Sequence, residues 1–463
     1  MAQARFLTGS TMSHVVRMTL TGATGITFVF LVDLANLFWI SWLGDPKLVA
    51  AIGYAFAVQF FSVSTGVGLM IASTAMISRR IGMGEPDMAR REATSSAIIA
   101  VLFQSTVALL IVLFRYPLLK LVGATGETLD LAARYLWMTV PSLSIMALGM
   151  VASAALRAEG DGYRAMFVTL TSGSVSMVVD PFLIVWLEMG LDGAAGGLVV
   201  SRFVLCGMAL RFTIGTHDLF ARPAWWAVKQ CARPYFAIAL PAMVTQIAAP
   251  FGNYLLTSVV AGFGDAAVAG WAVVNRLTVV AFGGIFSLSG AIGGIFGQNY
   301  GAKLYDRLHS TYRDALIFCT GYTLVAWALL AATSGLVIDG FGITGEGVAV
   351  YRAFSLIGAG AFIFTGALFV SNAAFNNLGK PGRSTIVNWL RDGVLILPAA
   401  WVFAAWFAAP GAIYAQAVVG IIVGIFAALW GWRFVMAIGK DGTPELDLPA
   451  RRGYRDVNRF RRR

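Results

Sequence analysis

The sequence predicts an all-α polytopic membrane protein of about twelve transmembrane helices, arranged as two six-helix bundles in a parallel repeat. Three observations carry this. Hydrophobic residues make up 58% of the chain and charged residues only 12%, where a soluble protein carries roughly 25% charge. Apolar stretches of about 20 residues, the length that crosses a ~30 Å hydrocarbon core, recur along the whole chain. The two halves also repeat one another. So little charge cannot cover a water-facing surface of this size, so lipid is the expected solvent for most of the chain.

The spans are expected near 14–42, 48–78, 92–114, 128–156, 163–187, 191–214, 234–262, 266–297, 311–336, 347–378, 384–408 and 411–438. A β-barrel would show short segments of alternating polarity, whereas Val394–Phe407 and Ala417–Trp430 are apolar on every side. Sliding the chain on itself by about 219 residues brings Val49 onto Val268, Gly82 onto Gly301, Asp87 onto Asp306, Gly160 onto Gly379 and Arg164 onto Arg383. The expected organisation is therefore an N-terminal six-helix bundle over 1–215, a basic inter-lobe loop over 216–233, a C-terminal bundle over 234–440 and a basic tail over 441–463. Six spans is an even number, so both halves enter from the same side, and the repeat is parallel.

Lys and Arg set the orientation. Arg79, Arg80, Arg90, Arg91, Arg157, Arg164, Arg211, Arg222, Lys229, Arg233, Lys303, Arg307, Arg313, Lys380, Arg383 and Arg391 fall, with the tail, on the side of the N-terminus. Lys47, Arg115, Lys120, Arg134 and Arg352 fall opposite. Both termini are thus expected in the cytoplasm of a bacterial-type inner membrane. The net charge of +11 reads as a topology signal rather than a nucleic-acid footprint. The terminal basic run 451–463 is either a contact with anionic lipid headgroups or a disordered orientation signal. The first apolar run continues into a full span, so no separate signal peptide is expected.

Cys206, Cys231 and Cys319 have no metal-type spacing and read as small apolar fillers. His14, His217 and His309 have no nearby ligand in the sequence, so no metal site is expected. No GxxxxGK[ST] loop exists to supply ATP drive. No carboxylate cluster sits at a span end to hold Mg²⁺ for a membrane-embedded enzyme. The expectation is a transporter that carries no cofactor, acts on small molecules and works as a monomer. Two similar bundles leave a cavity between them near the midplane, and rocking one against the other opens it to each side in turn.

Charge inside a span costs a few kcal/mol or more, so each such group is a functional candidate. Asp33 lies in the first span with Asn36 one turn on, and Asp180 in the fifth with Ser176 one turn before. Two carboxylates in a low-dielectric cavity repel, which suits one of them to load and release a proton. With further oxygen ligands the same group would hold Na⁺. Pro181 is expected to disturb the fifth helix and free carbonyls beside Asp180. Arg202 and Arg276 are the deep cations and, with Gln298, the candidate structural or gating polar groups. Trp39, Tyr54, Phe61, Met146, Met150 and Met177 are the candidate lining of a deformable apolar cavity that suits cations and amphiphiles.

The segments VDLANLF (32–38), LGDPKLVAAIG (43–53), ALRAEGD (155–161) and DPFLI (180–184) come in a familiar order. So do Leu240-Pro241, Asn275-Arg276, GQNYGA (297–302) and NNLGKP (376–381) in the second half. With them the chain resembles the multidrug and toxic compound extrusion (MATE) family over essentially its whole length. The resemblance implies a V-shaped pair of bundles around a central cavity. It also implies efflux of organic, often cationic or amphiphilic, compounds in exchange for H⁺ or Na⁺. Asp33 is similar to the first-span aspartate on which coupling depends in that family. Anchored on Gly44, the matching position is Asn36, and Asp33 lies one turn earlier on the same face. Asp33 is preferred because an amide carries no proton. Asp180 is similar to the fifth-span aspartate of the branch that couples through its N-terminal half. Where that branch has an asparagine and a threonine this chain has Ser176 and Leu198. The thinner oxygen set favours H⁺. A second branch couples through second-half carboxylates, but Ala249-Pro250 and Asn376-Asn377 stand here, so that route is absent. The rival reading is a flippase for lipid or lipid-linked oligosaccharide from the same superfamily. It would call for a more basic cavity than Arg202 and Arg276 supply.

Overall fold

A computed structural model describes residues 4–440. The basic run 451–463 lies outside the described residues. Eleven helices are long and apolar enough to cross a membrane, and a bent pair makes a twelfth. In chain order they are α1 (Thr11–Trp42), α2 (Pro46–Gly82), α3 (Pro86–Leu113), α4 (Gly126–Glu159), α5 (Gly162–Trp186) and α6 (Gly190–Thr216). The second half has α7 (Trp225–Ala261), α8 (Asp265–Gly301), α9 (Tyr305–Ala332), α10 (Glu346–Gly358 with Phe362–Asn377, bent by 62°), α11 (Pro381–Phe407) and α12 (Gly411–Ala437). No strand occurs among the described residues. The expected number of spans is observed. The segment expected as a loop over 216–233 is shorter than that, because α7 is already helical from Trp225.

Local chemistry sets the helix ends. Asp45 caps α2 by accepting from the Lys47 N–H at 2.9 Å, with Pro46 in the first turn where no donor is needed. Asp161 caps α5 in the same way through the Arg164 N–H at 3.0 Å. Proline also opens α3 at Pro86 and α11 at Pro381.

The repeat is visible in the backbone. Helix ends at 42, 82 and 113 recur at 261, 301 and 332, and starts at 46 and 86 recur at 265 and 305. Left-handed backbone recurs at the same offset. Gly123 (φ +96°) pairs with Gly342 (+61°), Gly126 (+57°) with Gly345 (+54°), and Gly160 (+100°) with Gly379 (+85°). Gly84 (+71°) pairs with Lys303 (+59°), where the second half keeps the conformation without the glycine.

Tertiary contacts divide the chain into two compact units. One holds Phe28–Met243; the other holds Arg5–Thr27 with residues 244–440. Chain order would assign all of 1–215 to the first bundle, yet the start of α1 packs with second-half spans. The anchors are specific. The Phe6 N–H donates to Gln298 Oε1 at 3.0 Å, Arg307 donates to the carbonyls of Phe6, Thr8 and Gly9, and Ser287 Oγ donates to the Thr19 carbonyl. α7 divides likewise after Met243, so the first helix of each half belongs partly to each unit.

In the second unit, backbones touch where α8 meets α10. A Cβ on Gly270 would lie 2.5 Å from the Gly347 Cα, so no side chain fits there. The core of this unit runs through Trp271, Phe282, Phe296, Tyr312 and Phe354. The first unit has three apolar clusters, centred near Leu136, Tyr235 and Leu156. Large apolar side chains such as Leu113, Trp186 and Trp406 point outward, as a lipid-facing surface requires.

Candidate functional site

The site of interest lies in the first unit, where α1, α5 and α6 meet. Asp180 is 1% exposed, a carboxylate placed in an apolar span. Its Oδ2 accepts from Ser176 Oγ at 2.7 Å and from Asn36 Nδ2 at 3.2 Å, which ties α5 to α1. Its Oδ1 is buried and has no partner. On the third side stands Gly197 of α6. A Cβ there would lie 1.8 Å from Oδ1, so the carboxylate occupies the space that any side chain at 197 would take.

The backbone beside Asp180 departs from α geometry as the sequence predicts. Pro181 has no N–H to give to the carbonyl four residues earlier, and the chain winds as π-helix over Phe182–Trp186. The Leu187 N–H reaches the Phe182 carbonyl at 2.9 Å, and the Met189 N–H reaches that of Leu183 at 3.1 Å.

Asp33 is exposed on α1, close enough to Asp180 for the two charges to interact. The direct contact is made by Asn36, not Asp33. Tyr135 of α4 was not singled out by sequence. It is buried, and Asp33, Asp180 and Arg202 all act on it electrostatically.

Arg202 does not pair with either aspartate. It donates to the Thr139 carbonyl at 2.7 Å, to Ser142 Oγ at 2.8 Å and to Gln59 Oε1 at 3.2 Å. The reason is local. α4 tightens to a 3₁₀ turn at Val140–Ser142, where the Leu143 N–H turns to the Val140 carbonyl. The Thr139 carbonyl accepts from Ser142 Oγ at 2.7 Å as well as from Arg202. Gln59 completes the network by donating Nε2 to Thr139 Oγ1 at 2.5 Å. These buried hydrogen bonds join α2, α4 and α6, while Arg202 Nε is left without a partner.

Of the expected cavity residues, Trp39, Tyr54 and Met146 pack against the apolar cluster that contains Ile40, Ala51 and Leu136. Met146 and Met150 both close on Gly66, with Met150 Sδ 3.3 Å from the position of a Cβ there. Phe61 is 55% exposed, and Met177 lies half-buried outside that cluster. Arg276 and Gln298 belong to the second unit. Arg276 is exposed on α8 and makes no ion pair among the described residues, while Gln298 is buried and holds the chain start through Phe6.

Three further groups escaped the sequence reading. His217, read from the sequence only as lacking a metal-ligand neighbour, sits buried between two carboxylates, with Nδ1 2.7 Å from Glu159 and Nε2 3.0 Å from Asp161. Arg391, counted from the sequence on the cytoplasmic side, lies within α11, buried, and donates two hydrogen bonds of 2.8 Å to Asp392. Arg80, at the end of α2, likewise bonds the buried Glu92 at 2.7 Å. Cys206, Cys231 and Cys319 are buried free thiols. No His/Cys/Asp/Glu group able to hold a metal occurs among the described residues.

Known proteins share both sequence and fold with this chain. The chain is 23% identical over 416 residues to a FAD transporter of Shewanella oneidensis, covering 89% of this chain and 92% of that one. It is 22% identical over 405 residues to the multidrug export protein MepA of Staphylococcus aureus, covering 86% and 88%. A crystal structure of a mutant form of the Vibrio cholerae MATE transporter VcmN superposes with a TM-score of 0.85 at 23% identity, over 92% of this chain and 97% of that one. The family model MatE matches residues 23–182 and 241–402, which are corresponding stretches of the two halves. The chain belongs to the MatE family of membrane transporters.

Proposed function

We propose that this protein exports organic, often cationic or amphiphilic, compounds in exchange for protons entering through the Asp180 site. The observation that carries the reading is the asymmetry of that carboxylate. Oδ2 is held by Ser176 and Asn36, while Oδ1 is buried, unpartnered and backed by Gly197. A buried carboxylate oxygen without a donor is costly as an anion and inexpensive as an acid. A proton on Oδ1 neutralises the site without disturbing the Ser176 and Asn36 bonds. Asp33, exposed nearby, supplies the second charge that drives the proton on or off.

Protons are favoured over Na⁺ because Leu198 offers no oxygen and Asn36 turns its amide nitrogen to Asp180, so the Ser176 hydroxyl is the neutral side-chain oxygen bonded to that carboxylate. Alternating access by rocking of the two bundles, with both termini in the cytoplasm of an inner membrane, completes the reading. The chain would work as a monomer and need no cofactor besides the coupling ion. The Shewanella relative is named a FAD transporter, which adds a nucleotide to the substrates worth testing.

The test is uptake of a fluorescent organic cation, and separately of FAD, into proteoliposomes under an imposed pH gradient or an imposed Na⁺ gradient. Uptake driven by the pH gradient and lost in Asp180→Asn is expected. Uptake that follows Na⁺ alone overturns the proton assignment. No gradient-driven uptake of either compound by correctly inserted protein favours the flippase instead.

A further inference from the structure

A recess of about 290 Å³ opens on the first unit, away from Asp180, between the start of α3 and the start of α7. Arg91, Thr94 and Ser95 of α3 line it from one side, and Arg222, Trp226 and Ala227 from the other. Its wall is built rather than incidental. Thr94 Oγ1 donates to the Ala221 carbonyl at 3.1 Å and accepts the Ala221 N–H at 2.8 Å, which pins the incoming chain to α3. Arg90 next door is already committed, to Asp218 at 2.7 Å and to the Phe220 carbonyl at 3.3 Å.

The two guanidiniums facing the recess are placed differently. Arg91 stands over the Trp226 ring, 5.5 Å from its centroid, and neither Arg91 nor Arg222 has a carboxylate partner among the described residues. The neighbouring acids are taken: Asp87 and Asp218 face Arg90, and Glu92 faces Arg80. The recess thus carries two unneutralised cations, the Ser95 hydroxyl and the N-terminal turn of a 37-residue helix, all of which favour an oxyanion. The surface around it is of membrane-interface type. Trp225 is 60% exposed and Trp226 39%, and Lys229 and Arg233 follow, exposed, on α7.

We propose that this recess binds a phosphate group, that of an anionic lipid headgroup or a free phosphate, with Arg91 and Arg222 as its charged contacts. The exposed tryptophans beside it suit a ligand whose chains continue into the bilayer. The site is independent of which compound the protein carries and of how transport is coupled.

The experiment measures binding to the purified full chain by native mass spectrometry. The probes are phosphatidylglycerol, phosphatidylcholine and inorganic phosphate, each applied to delipidated protein. The variants are Arg91→Gln/Arg222→Gln and the single Arg222→Gln, whose exposed side chain leaves the fold intact. A basic side chain at an anionic leaflet is worth about fivefold in binding. The single variant is therefore expected to lose about fivefold, and the double variant about 30-fold, in phosphatidylglycerol affinity. Phosphatidylcholine binding is expected to stay unchanged. Arginine-dependent binding of phosphatidylglycerol, undisturbed by millimolar inorganic phosphate, identifies a lipid headgroup. Arginine-dependent binding of inorganic phosphate alone identifies a soluble ligand. The proposal is overturned if no probe responds to the substitutions, or if both lipids bind equally well and respond equally.

Discussion

Replacing Gly197 with alanine tests the Asp180 site without touching any polar atom. The added Cβ would stand 1.8 Å from Asp180 Oδ1 and 3.0 Å from its Cγ. Nonbonded carbon and oxygen settle no closer than about 3 Å, so helix α6 or the carboxylate must move by about 1.2 Å. A shift of that size in the carboxylate lengthens the 2.7 Å Ser176 bond or the 3.2 Å Asn36 bond beyond hydrogen-bonding distance. Overpacking of this kind costs about 1–3 kcal/mol, and displacement of a reacting group by about 1 Å costs on the order of a hundredfold in rate. Gly207 on the same helix is the matched control, because nothing lies within 4 Å of its Cβ position. Gly207→Ala is expected to be neutral or to stabilise by up to about 1 kcal/mol, as glycine removal from a helix does. The assays are pH-gradient-driven uptake in proteoliposomes and thermal unfolding in detergent. Gly197→Ala should lose most gradient-driven uptake while Gly207→Ala keeps it. Wild-type uptake with unchanged gradient dependence in Gly197→Ala would refute the reasoning, because it would mean that the carboxylate position does not matter.

Asp180→Asn preserves shape and removes the titrating group, so pH-gradient-driven uptake should vanish. Ser176→Ala, which removes one of two donors, should only weaken it; both are read in the proteoliposome assay. Arg202→Met strips donors from the Thr139 carbonyl, Ser142 and Gln59. A melting experiment should show a loss of about 2–4 kcal/mol, and an unchanged melting temperature would mean that water replaces the guanidinium there. His217→Phe takes the imidazole from the buried Glu159 while Asp161 keeps Arg164, with an expected loss of about 3 kcal/mol in the same experiment. Lys303→Gly places glycine where the first half has Gly84, at φ +59°, and should raise stability by about 1 kcal/mol. A lower melting temperature in that variant would show that the lysine side chain outweighs its backbone strain.

The spans and the repeat were legible because each rests on a one-dimensional signal. Bilayer thickness imposes a run of about 20 apolar residues, and a duplicated backbone keeps its turns at one offset, as Gly160 with Gly379 and Gly123 with Gly342 illustrate. Asp180 stood out for the same reason, as a charge in an apolar run followed by a helix-disturbing proline. The partners of these residues were a different matter. The sequence left open that Arg202 neutralises Asp180, but the Thr139 carbonyl, Ser142 and Gln59 hold it instead. His217 looked isolated along the chain, although Glu159 and Asp161 lie against both its nitrogens. Arg391 counted only as a cytoplasmic-side charge, whereas inside α11 it pairs with its neighbour Asp392. The start of α1 belongs by chain order to one half and by packing to the other.

Hydropathy and periodicity act on neighbours in sequence, so composition and spacing alone established the solvent, the number of spans and the duplication. Ion pairing, cavity lining and the fit of Gly197 against Asp180 depend on which helix faces which. Asn36 reaches Asp180 across 144 residues, and no local signal encodes that choice. Side-chain packing and the cost of leaving a buried polar group unpaired decide it, and both exist only once the helices have assembled.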